Sequence, residues 1–121
     1  MSEEIIWFTK RRKVTNPADV SLSLVKHTQK YGVNIIFRNG VLSDFKSDYI
    51  RFGASPKGDK VYFMASTNEY GYKLSKSAKG STLSVRISES EIFDLVKRFI
   101  GDYTMGIDDD NHLFISKETR I

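Results

Sequence analysis

Two hydrophobic periodicities divide this chain. Between Ser88 and Gly101 apolar residues return at helical spacing, with Ile92, Leu95, Val96, Phe99 and Ile100 on one face. Ser88 and Glu91 have the form of a capping box, in which the Ser hydroxyl accepts a first-turn N–H and the Glu carboxylate reaches back to the cap. Gly101 stands where a left-handed residue ends a helix. The spacing predicts one well-defined helix over about 89–100. Glu89, Glu91 and Asp94 near its start and Lys97 and Arg98 near its end suit the helix dipole, so they need no catalytic explanation.

On both sides of that helix the period is two, the signature of half-buried strands. Tyr70, Tyr72 and Leu74 alternate with polar residues, Ser77 to Gly80 form a turn, and Leu83, Val85 and Ile87 alternate again. After the helix come Tyr103, Met105 and Ile107, a turn at Asp108 to Asn111, then Leu113 and Ile115. The same order runs earlier: Val20, Leu22 and Leu24; the turn "HTQKYG"; Val33, Ile35 and Phe37; at most one helical turn from Val41 to Lys46; Ile50, Phe52 and Ala54; the turn "SPKGDK"; Val61, Phe63 and Ala65. An offset of 50 places Val33 on Leu83, Ile35 on Val85 and Phe37 on Ile87. The expectation is an α+β, mainly β single domain over 1–121, with two pseudo-repeated ββαββ units, 20–66 and 70–117, closing one barrel-like core. Residues 1–19 add an edge strand, Ile5 to Thr9, and a basic loop.

Composition narrows the class without naming a chemistry. With 40% hydrophobic and 28% charged residues over 121 positions, the chain has the make-up of one globular domain able to sustain a core. The absence of cysteine excludes disulfides, thiolate metal sites and cysteine nucleophiles and suits a cytoplasmic setting. No apolar stretch approaches a membrane span, and the acids of "MSEEIIWFTKRRK" precede its apolar run, the reverse of a secretory signal. Net charge is +4, but residues 1–87 carry 15 Lys and Arg against 7 Asp and Glu, whereas residues 88–121 carry 4 against 8. Net +8 and net −4 make an electrically two-sided chain, densest in positive charge at Lys10-Arg11-Arg12-Lys13. A solvated basic loop is the plain alternative for that cluster.

The stretches "VKHTQKYGVNIIF" with "GDKVYFM", and "SKSAKGSTLSVRI" with "DNHLFISK", resemble the AbrB-like swapped-hairpin DNA-binding modules of bacterial transition-state regulators and antitoxins. That family builds one barrel from two such units, and MraZ-like members carry both in one chain. The resemblance covers about residues 20–117 and implies a barrel and a DNA partner. Arg38-Asn39 and Ser88-Glu89 stand where family members commonly have a proline after the second strand, and neither unit's first hairpin carries the D-x-x-x-R signature of MraZ-like proteins.

Catalytic and metal motifs are missing too. His27 and His112 belong to no metal-spaced cluster, and Asp108-Asp109-Asp110-Asn111 lacks the spacing and distal Glu of a calcium loop, so a polar hairpin turn is expected there. No G-x-S-x-G elbow or phosphate-binding glycine motif occurs, and no cofactor is expected. Tyr49, Tyr62, Phe114 and Trp7 fall on outward phases or an edge, beside Arg51, Lys60 and Lys73, an arrangement suited to stacking bases of a single strand. A covering element over one sheet is the alternative. The sequence thus favours a small, non-enzymatic nucleic-acid-binding protein using Lys10, Arg11, Arg12, Lys13, Arg51, Lys60, Tyr62 and Lys73 toward DNA or RNA. A protein-binding module of antitoxin-like, phage-inhibitor or assembly-subunit type is the runner-up. A barrel closed within one chain would leave it monomeric.

Overall fold

The structure is a computed structural model that describes residues 18–27, 30–77, 82–88 and 90–121. The expected edge strand at Ile5 to Thr9, Trp7 and the Lys10–Lys13 cluster lie outside the described residues. In chain order the strands are β1 (Val20–His27), β2 (Lys30–Phe37), β3 (Tyr49–Ala54), β4 (Lys60–Ser66), β5 (Tyr72–Lys73), β6 (Ser75–Lys76) and β7 (Leu83–Ile87). The helix α1 (Ser90–Val96) follows, prolonged by a 3₁₀ turn at Lys97–Phe99, and then β8 (Gly101–Tyr103), β9 (Gly106–Ile107) and β10 (Leu113–Ser116).

These strands form two five-stranded antiparallel sheets, one in the order β6-β7-β2-β1-β8 and the other in the order β5-β3-β4-β10-β9. Alternation explains which side of each is buried. Val20, Leu22, Val33, Ile35, Phe37, Val85 and Ile87 of the first sheet and Ile50, Val61, Phe63 and Ile115 of the second share one apolar cluster. Phe37 and Phe63 meet edge to face across it, with ring centroids 5.2 Å apart.

The predicted closed barrel is not what forms. Two short segments pass from one sheet to the other, at Leu74 between β5 and β6 and at Thr104–Met105 between β8 and β9, and their amides leave the ladder. Leu74 donates its N–H to the Asp48 carbonyl, Thr104 to the Thr119 carbonyl and Met105 to the Asp19 carboxylate. Those bonds leave no unsatisfied amide where the chain crosses from one sheet to the other. The two expected units also differ: α1 lies in the second, whereas the first has only tight turns at Gly40 to Phe45, where Ser43 bonds back to Gly40 and Phe45 to Leu42. Asn39 and Gly40, with φ of 57° and 68°, turn the chain out of β2.

Three further expectations shift. The helix is shorter than 89–100, because its last turn tightens to 3₁₀ and the backbone leaves helical geometry at Ile100, with ψ of 128°, before Gly101 opens β8. Its deepest residues are Val96 and Phe99, whereas Ile92, Leu95 and Ile100 are only half-buried. Leu24, Tyr70 and Ile107, each assigned by alternation to an apolar face, are 52%, 63% and 64% exposed because their segments run past the edge of the shared core.

Candidate nucleic-acid interface

The outer face of the second sheet carries all the candidate residues that can be placed. In β3 the outward phase is Tyr49, Arg51 and Gly53, because Ile50 is buried and Phe52 packs on the core. In β4 it is Lys60, Tyr62 and Met64, because Val61 and Phe63 point inward. The register then sets neighbours: Tyr49 lies opposite Lys73, Arg51 opposite Met64, and Gly53 opposite Tyr62. Directly paired residues share a face, so Arg51, Lys60, Tyr62 and Lys73 are all on one surface. No ion pair engages Arg51, Lys60 or Lys73 among the described residues.

A row across that surface reads Gly53, Tyr62, Phe114, Gly106, since Phe114 pairs with Tyr62 on one side and with Gly106 on the other. Glycines beneath the aromatic rings are a geometric need at one end: a Cβ on Gly106 would stand 2.6 Å from the Phe114 ring. The rings of Tyr62 and Phe114 have centroids 6.0 Å apart, and both side chains are half-buried, so each keeps surface open to solvent. The Lys60 Nζ lies 4.8 Å from the centre of the Phe114 ring, a cation–π contact that holds the ammonium over the aromatic row. Arg51 lies in the same way near the exposed Tyr70, at 5.7 Å.

The polar hairpin turn expected at Asp108 to Asn111 forms, and it borders this row. Asp108 Oδ1 accepts the N–H groups of Asp110 and His112 at 2.9 and 2.8 Å, and Oδ2 is 3.3 Å from His112 Nδ1. The His112 ring stands edge-on to Tyr62 at 6.0 Å. Asp108, Asp110 and His112 bring ligand-type atoms within 4.8 Å of one another. Both Asp108 oxygens are already engaged by the turn, which accounts for the cluster without a metal.

The backbone N–H of His112 is the main cause that holds the Asp108 carboxyl below its ordinary value of 3.8. A folded-state pKa that is depressed means the turn's stabilisation is present above the ordinary carboxylate range and lost as pH falls through the lower folded value. In an NMR titration the Asp110 and His112 amides are expected to move together with a midpoint below 3.8; a midpoint at or above it would contradict the geometry.

Met64, Tyr70, Asp110 and His112 also border this surface, and sequence reasoning gave them no role in it. Register was the missing signal, because it is what brings the 108–112 turn beside Tyr62. Comparison with protein-family models, with curated proteins and with solved structures gives no match.

Proposed function

We propose that this chain is a small non-enzymatic nucleic-acid-binding protein and that the outer face of its second sheet takes a single strand of DNA or RNA. One observation carries the reading: Arg51, Lys60 and Lys73, free of ion pairs among the described residues, share a face with the half-buried rings of Tyr62 and Phe114. Cations that track a backbone beside aromatic rings that accept base faces are the two requirements of single-strand binding. Lys10, Arg11, Arg12 and Lys13 add four sequence-neighbouring charges to the same electrostatic attraction. Strands of the two expected units pair with one another at both sheet centres. β2 and β7 pair with Ile35 opposite Val85, and β4 and β10 pair with Tyr62 opposite Phe114, each joining corresponding strands of the two expected units. In this reading each unit supplies the other's strand partner, and the chain acts as a monomer.

A protein partner is the second reading, favoured by Met64 and Tyr70 at 54% and 63% exposure around the same surface. Salt dependence separates the two. Three phosphate contacts on a single strand give a slope of about −2 in log K against log salt, at roughly −0.7 per contact. Replacing Arg51, Lys60 and Lys73 by Ser is expected to flatten the slope measured with an oligothymidine by about that amount. An unaltered slope would remove this face from the reading, and no binding by the native chain at low salt would favour the protein partner.

A further inference from the structure

Beside Tyr62 the outer face of the second sheet sinks into an open hollow of about 510 Å³, walled by Arg51, Gly53 and Met64 on one side and by Asp108, Asp110 and His112 on the other. Asp108 is spent on the turn, through its bonds to the Asp110 and His112 amides and to the His112 ring. Asp110 is different: its N–H is tied to Asp108, while its carboxylate has no partner among the described residues. Arg51, across the hollow, has no ion pair among them either. A surface made only to hold phosphates gains nothing from an acid in that position, because the carboxylate repels the strand unless a donor meets it.

The bases differ in what they offer such a carboxylate. Guanine presents two adjacent donors, N1–H and the N2 amino group, which match the two oxygens of a carboxylate. Adenine and cytosine place a ring acceptor beside their amino group, and thymine or uracil flanks its single N–H with two carbonyls. The guanidinium complements the other edge of guanine, donating to O6 and N7. Unpaired bases expose these edges while stacking on an aromatic ring.

We propose that the hollow takes one unpaired guanine, stacked on Tyr62, with its N1–H and N2 amino group donating to the Asp110 carboxylate and Arg51 donating to O6 and N7. This rests on the nucleic-acid reading of the face and adds base preference to it. The hollow is the place where the strand would be read, and the remaining cations position it without reading.

The test is fluorescence anisotropy of the full chain with a short labelled oligothymidine carrying one central guanine, inosine, adenine or thymine. The guanine oligomer is expected to bind about tenfold tighter than the all-thymine one, the scale of one bidentate base contact. Inosine, which lacks only the N2 amino group, is expected to lose most of that ratio. Asp110→Asn is expected to erase the ratio between guanine and thymine oligomers, with circular dichroism confirming the native fold. Equal affinities for guanine, inosine and adenine would overturn the guanine site while leaving the single-strand reading in place. A guanine preference that survives in Asp110→Asn would also overturn it, and failure of every oligomer to bind at low salt would overturn both.

Discussion

Phe63→Ala is expected to destabilise the fold by about 3–5 kcal/mol, the scale of emptying a large aromatic site in a packed core. Phe63 is 2% exposed on β4, an interior strand of the second sheet, and its ring is gripped from two directions. Phe37 of the first sheet meets it at 5.2 Å and 88°, and Phe52 of the neighbouring strand at 5.7 Å and 77°. Truncation therefore removes apolar burial together with two edge-to-face contacts, one that joins the sheets and one within the second sheet, and strands held on both sides cannot close the gap. Urea denaturation is the measurement, with a lowered midpoint at an unchanged slope as the expected form. Phe63→Leu, which keeps most of the volume, is expected to recover much of the loss. A Phe63→Ala protein within about 1 kcal/mol of the native one would mean that the sheets do not depend on this contact.

The same reasoning places Leu95 differently from its sequence position. Periodicity puts Leu95 at the middle of the apolar stripe, yet it is half-buried, and Val96 and Phe99 go deepest. A 3.6-residue repeat fixes which side of a helix is apolar but not how the helix rolls on the sheet beneath it. That roll is set by β2, against which α1 packs, and by the tightening to 3₁₀ at Lys97. Leu95→Ala therefore belongs below the Phe63 change in cost.

What the sequence made legible follows local rules. Period-two alternation identified Val33, Ile35 and Phe37, and again Val85 and Ile87, as an inward face, and all five are buried. Apolar spacing located the helix, and the Asp108 to Asn111 turn formed as its polar residues require. Alternation failed at Leu24 and Ile107, because it reports the phase of a strand and not the extent of the layer opposite. The barrel failed for a related reason. Whether strands close a ring depends on where the chain crosses between sheets, here at Leu74 and Thr104–Met105, and the acceptors that those amides find, Asp48, Thr119 and Asp19, are distant from them in sequence. The candidate face was half legible. Phase alone put Arg51, Lys60 and Tyr62 outward, but only cross-strand register shows that Tyr62 and Phe114 are neighbours and that His112 stands beside them.

That neighbourhood sets the expected effect of removing both rings. Alanine in place of one stacking aromatic costs about 1–3 kcal/mol per base in single-strand binding. Tyr62 and Phe114 are directly paired with centroids 6.0 Å apart, so their losses are coupled and the double change need not equal the sum of the single ones. The double variant Tyr62→Ala, Phe114→Ala is expected to weaken oligothymidine binding by about thirtyfold or more, and it also releases the Lys60 ammonium from its position over Phe114. Tyr62→Phe keeps the ring face and is expected to stay within about threefold of native, because stacking uses the π surface and not the hydroxyl. The fold should tolerate the double change better than Phe63→Ala, since both rings sit on the outer face and are only half-buried. Anisotropy at low salt, with thermal melts of each variant, provides the measurement. If the doubly substituted protein melts as a folded domain and still binds oligothymidine within about threefold of native, the aromatic row is not a base platform, and the exposed Met64 and Tyr70 beside it become the better guide to what this face meets.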